Sequence, residues 1–162
     1  MRILGYDIKK CIFELLITII NITIMKFKYS ICDPLEKEIK YIPESFYGDE
    51  ILKIAKEYPW VEKLRITEKF KPEEIHFSPS LDFTNIDTQR SFCLTAHYDN
   101  ESKLEFSLWY NRPKKIKTLF GLFGEKEKFI VDDSWGYDLE EALEYLKYFI
   151  DRRYEELEMI FK

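Results

Sequence analysis

The sequence predicts an α+β domain, an antiparallel sheet of about five to seven strands with N-terminal, middle and long C-terminal helices packed mainly on one face. Three observations carry that expectation. Phe92, Leu94, Ala96 and Tyr98 alternate with polar residues, as do Leu104, Phe106, Leu108 and Tyr110, which is the period-two pattern of half-buried strands. Asp138 and Glu141 form a capping box ahead of a long apolar stripe at helical spacing. Strands follow one another through short turns with no strand-helix-strand alternation, which argues against a parallel sheet.

The two alternating rows also fix their own register. Both face one core only if Tyr98 lies opposite Leu104, since a slip of one residue turns a whole row to the other side. Asn100, Glu101 and Ser102 then form the loop, and Asp99 opposes Lys103 as a favourable charge pair. On the reverse side His97 aligns with Glu105, Thr95 with Ser107, and Cys93 with Trp109.

Ahead of this hairpin, residues 11 to 25 are almost entirely apolar, and Lys9, Lys10, Lys26 and Lys28 flank them. Ile8, Cys11, Ile12, Leu15, Leu16, Ile19 and Ile20 recur at i, i+3 and i+4 with Asp7 as a cap, so a packed amphipathic helix is expected. A membrane anchor or signal segment is the alternative, although Glu14 interrupts the run, no small-residue cleavage site follows, and the stretch is shorter than the ~20 residues of a membrane span. The plainest option makes residues 1 to 24 a dispensable extension, with Met25 the start of a compact core running to residue 162.

Met25, Phe27, Tyr29 and Ile31 alternate as a strand, and Cys32 to Leu35 turn. Ile39 to Ile42 predicts a short strand ending at Pro43. Ile51, Leu52, Ala55 and Tyr58 predict a helix opened near Gly48 and stopped by Pro59. Val61 to Ile66 reads as a strand, and residues 72 to 85 as loop with one short strand. Beyond the hairpin, Lys115 to Phe120 and Lys128 to Val131 form a second hairpin around the tip Gly121-Leu122-Phe123-Gly124. Residues 139 to 161 read as one helix of about six turns.

Length and composition narrow the function. The 162 residues are 46% hydrophobic and 17% aromatic, enough for one domain with a substantial core and too few for two ordinary ones. Charged residues make up 34% but leave a net charge of only -5, the reverse of the basic footprint of a nucleic-acid binder. Residues 112 to 131 are net positive and 132 to 162 net negative. Three cysteines in no metal-type spacing favour a reduced, cytoplasmic life, and two histidines leave no histidine-rich metal site. No cofactor motif of the Gly-x-Gly-x-x-Gly or phosphate-loop kind occurs.

Four candidate sites remain. His97 beside Glu105 is an acid-base pair for a small hydrolase or isomerase. Cys93 is excluded as its nucleophile, because four residues along a strand place it ~13 Å away. Trp109 on the polar side of the sheet reads as an anchor for a partner or for an internal cover. The basic residues from Arg112 to Lys117 beside Leu122 and Phe123 suit a partner groove, a headgroup layer or single-stranded nucleic acid, although Glu125 and Glu127 dilute the charge. Asp132 to Asp138 lacks the alternating acids of a calcium loop, so Trp135 with Glu140 and Glu144 reads instead as an interaction edge. The expected function is a non-catalytic protein-binding domain. One concrete form is a small acidic neutralising, immunity-type partner of a basic toxin or nuclease, with Trp109, Leu122, Phe123, Trp135, Glu140 and Glu144 at the contact and with no metal, cofactor or nucleic acid. The alternatives are catalysis by His97 and Glu105, or a peripheral membrane protein held by residues 11 to 25.

Overall fold

Six strands form a single antiparallel sheet in the computed structural model, which describes residues 10, 12, 25–117 and 125–161. They are β1 (Phe27–Cys32), β2 (Lys40–Phe46), β3 (Ser80–Asn85), β4 (Ser91–Tyr98), β5 (Leu104–Lys117) and β6 (Glu125–Tyr137), in the spatial order β2-β1-β3-β4-β5-β6. From Gly48 onward the α-helices are α1 (Gly48–Glu57), α2 (Trp60–Thr67), α3 (Leu139–Ile150) and α4 (Tyr154–Glu158), with a short 3-10 turn at Pro72–Glu74. The architecture is the α+β class that the alternation implies, with the described helices α1 to α4 against one face.

The central hairpin has the register its residues dictate: Tyr98 opposes Leu104, His97 opposes Glu105, and Cys93 opposes Trp109. Phe92, Leu94, Ala96, Phe106, Leu108 and Tyr110 are fully buried against the helices, together with Leu81 and Phe83 of β3. Ser102 closes the turn with φ 61, the left-handed residue that follows a type I turn in three-residue hairpins. Asp99 and Lys103 face each other and their charges attract, without a direct side-chain ion pair. Asp99 Oδ1 instead accepts the backbone N–H of Glu101 and of Lys103, each at 2.8 Å, while Lys103 Nζ reaches Glu101 at 2.9 Å. A carboxylate two to four residues from free amides satisfies them at less entropic cost than a cross-strand lysine demands.

Four elements depart from expectation. β2 runs on through Pro43 to Phe46 across a register irregularity, tolerated because β2 is an edge strand where a missing N–H costs no ladder bond. Val61 to Ile66 lies in helix α2, because Trp60 and Leu64 at i and i+4 both bury and the Trp60 indole N–H donates to the Ala55 carbonyl at 2.8 Å. The last strand, expected over Lys128 to Val131, runs on through Asp132 to Tyr137 as β6. The C-terminal helix breaks at Asp151 to Arg153, where Arg152 takes φ 57. A straight helix would carry Phe161 ~16 Å past Ile150. The break folds it back, so that its ring lies 6.4 Å from Phe92 and 5.7 Å from Tyr110.

α3 packs on α1 through Gly48, where an added Cβ would lie 2.4 Å from Ile150 Cγ2. An ion network ties the C-terminal segment to the sheet. Buried Arg112 contacts Asp132 Oδ2 at 2.9 Å and Glu158 Oε2 at 2.6 Å, and Lys114 Nζ lies 2.7 Å from Asp132 Oδ2. The run from Arg112 to Lys114 is therefore neutralised within the chain rather than offered to phosphates. Apart from Ile12 and Met25, the expected N-terminal apolar helix lies outside the described residues, as do Leu122 and Phe123. Among the described residues no helix is long and apolar enough to cross a membrane.

Candidate docking site on the open sheet face

The residues that alternate away from the core converge on the face opposite the described helices, and β4, β5 and β6 supply them in register, with Ser107 buried among them and Trp135 exposed. Thr95 pairs with Ser107, which pairs with Trp135; Cys93 pairs with Trp109, which pairs with Asp133; His97 pairs with Glu105. Trp135 stands at the centre. Its ring centroid lies 5.2 Å from that of His97 and 6.1 Å from that of Trp109, near edge-on to the latter. Such tilted contacts suit aromatic quadrupoles better than face-to-face stacking.

Gly136 makes this possible. Between Phe106↔Tyr137 and Ser107↔Trp135 the register shifts by one residue, and Gly136 takes φ +93 there. Strict alternation would put Trp135 and Tyr137 on the same side. The extra residue sends Tyr137 to the helix face, 5.2 Å from the Tyr145 ring, and leaves Trp135 on the open one. The Trp-Gly-Tyr triplet, a glycine between two aromatics that would otherwise share a face, is the local signal for this bulge.

Polar groups frame the rings. The Trp109 indole N–H donates to Ser107 Oγ at 3.2 Å, and the Trp135 indole N–H donates to Asp133 Oδ2. His97 Nε2 lies 3.1 Å from Glu105 Oε2, whereas His97 Nδ1 is enclosed without a hydrogen-bond partner. Asp99, at the hairpin end of the same sheet, is held below the usual carboxylate range, first by the backbone amide of Lys103 and also by that of Glu101. Trp135 is 57% exposed even so. Fixed by neighbours on both sides yet open to solvent, it is a rigid aromatic platform with carboxylates at its rim.

Cys93 offers no nucleophile. Burial and the nearby Asp82 carboxylate push its thiol far above the usual range, and its sulfur lies 3.6 Å from the Thr95 hydroxyl. Asp82, across from Cys93, is itself pushed up by burial despite a hydrogen bond from Ser91, and its Oδ1 is enclosed without a partner. Among the described residues no three His, Cys, Asp or Glu side chains gather as metal ligands.

The structure thus divides the sequence-derived candidates. His97, Glu105, Trp109 and Trp135 share one face. Glu140 and Glu144 lie on α3 in the opposite layer, lining a cleft of about 640 Å³ with Leu52, Lys53, Leu143 and Lys147. Comparison with protein-family models, curated proteins and solved structures gave no match.

Proposed function

We propose that this chain is a non-catalytic protein-binding domain that docks a basic partner surface on the Trp109–Trp135–His97 patch. The observation that carries the reading is Trp135, more than half exposed while held between two other rings. Pre-ordered aromatics lose little entropy on binding and dominate interface energetics. Asp133 and Glu105 at the rim add the charge that an arginine or lysine stacked on the indole would seek, and the net charge of -5 favours the same sign of partner. Neutralisation of a basic toxin or nuclease is the specific form these features fit.

Catalysis by His97 and Glu105 is the weaker reading. One ring nitrogen faces Glu105 and the other is enclosed, so neither stands free to exchange a proton with a substrate.

The test is capture from a lysate of the source organism with the tagged full chain, followed by titration of the captured protein. Trp135→Ala is expected to weaken binding by about thirtyfold, the scale of a hot-spot truncation. Tyr41→Ala, on the opposite edge and 74% exposed, is expected to leave it unchanged. Equal affinity for wild type and Trp135→Ala would refute the patch as the docking site.

A further inference from the structure

β6 ends the sheet, and half of it stands beyond the other strands. β4 reaches only Ser91, opposite Asn111, so Arg112 to Lys117 of β5 pair with β6 alone. The result is a two-stranded ribbon of six residue pairs, ~20 Å long, and such ribbons are marginal in water without a third strand or a covering element. Natural sheets protect a free edge with charges, proline or a bulge. Here the middle of the edge is Phe129-Ile130-Val131, with Phe129 44% and Val131 56% exposed. On the helix face its flanks carry opposite charges, Lys128 on one side and Asp132 on the other, while on the open face both flanks are acidic, Glu127 and Asp133.

From these features we propose that β6 pairs antiparallel with β6 of a second copy of this chain, about a two-fold axis at Ile130. That register sets Phe129 against Val131 of the other copy, twice, on the open face. On the helix face it sets Lys128 against Asp132, also twice. Lys128 needs such a partner: it is exposed, it opposes Lys114 directly across the hairpin, and among the described residues it has no carboxylate. Like charges directly opposite destabilise a strand pair, and a second Asp132 would offset that repulsion. Shifting the axis to Phe129 sets Lys128 against Ile130, and shifting it to Val131 sets Phe129 against Asp133. The Ile130 axis alone matches both the apolar pair and the lysine–aspartate pair, at the cost of a like-charged pairing, Glu127 with Asp133, that also occurs twice. Association would turn the ribbon into four strands and the sheet into twelve, in the isologous form usual for homodimers.

The proposal does not depend on the docking patch, since a monomer would leave the Trp135 reading intact. Its test is sedimentation equilibrium of the full chain up to about 0.2 mM. A species of twice the chain mass is expected, with Lys128→Glu and Val131→Asp each raising the dissociation constant by about tenfold or more. Both positions are exposed, and unchanged far-UV circular dichroism confirms that the variants fold. Under mild oxidation Ile130→Cys is expected to cross-link two copies, because antiparallel partners bring Cα atoms within ~5.5 Å, whereas Lys126→Cys is expected not to. A monomer throughout, a dimer indifferent to both charge variants, or no cross-link from Ile130→Cys would each overturn the proposal.

Discussion

His97 Nε2 lies 3.1 Å from Glu105 Oε2, and the other nitrogen of the same ring, Nδ1, is enclosed with nothing to bond. The two halves of this imidazole therefore oppose each other energetically. The pair with Glu105 joins two side chains that are 25% and 31% exposed, where solvent screens most of the attraction. The unpartnered nitrogen carries a desolvation penalty that an apolar side chain would not.

It follows that His97→Leu loses a weak pair and relieves an unsatisfied group, so unfolding free energy from urea titration is expected within about 1 kcal/mol of wild type. Glu105→Gln is expected to cost no more than about 1 kcal/mol. A loss of 3 kcal/mol or more in either variant would mean that the pair is part of the framework rather than of an accessible face.

Asp132 gives a pH dependence with a defined sign. Burial pushes its carboxyl up, but the hydrogen bonds and charges of Lys114 and Arg112 outweigh burial and hold it below the ordinary 3.8. A carboxylate depressed in the folded state contributes stability that is complete above its unfolded pKa and lost as pH falls through the folded one. Asp132→Asn is therefore expected to cost about 1–3 kcal/mol at pH 7, the scale of hydrogen bonds to charged groups, leaving Arg112 with Glu158 alone. The gap between wild type and variant is expected to shrink below about pH 4. Taking the difference matters because Asp82, pushed up by burial, acts in the opposite direction in both proteins. A gap that stays constant down to pH 3 would contradict the assignment.

The hairpin from Phe92 to Tyr110 was legible because its pattern depends only on neighbours: two rows of four apolar residues admit one register on a half-buried sheet. The same locality explains the Asp138 cap, whose side chain accepts the Glu141 N–H at 2.9 Å. What escaped was decided by distant partners. Trp60 selects helix for Val61 to Ile66 by reaching Ala55 and by packing edge-on against Phe106 at 5.1 Å, which no local propensity encodes. Arg152 leaves the helix because the rings of Phe92 and Tyr110 await Phe161. Of the candidate site, the His97–Glu105 pair follows from strand register alone. The convergence of Trp135 with Trp109 required the pairing of β5 with β6 and the bulge at Gly136.

Gly48 tests how tightly the helix layer is seated on itself. The helix it opens needs no special backbone there, so steric room is the only demand on the position. Alanine would place its methyl 2.4 Å from Ile150 Cγ2, and Ile150 is 98% buried, with β-branching that restricts its rotamers. Gly48→Ala is expected to cost about 1–3 kcal/mol by overpacking, more than the gain in helix propensity of about 1 kcal/mol returns. Pairing it with Ile150→Leu, which has no second γ-carbon and so carries a hydrogen where the clashing Cγ2 methyl stood, is expected to recover part of that loss. The double variant would then be more stable than the sum of the two single effects, read from a double-mutant cycle of urea unfolding. Strict additivity would show that α1 and α3 adjust independently of this contact.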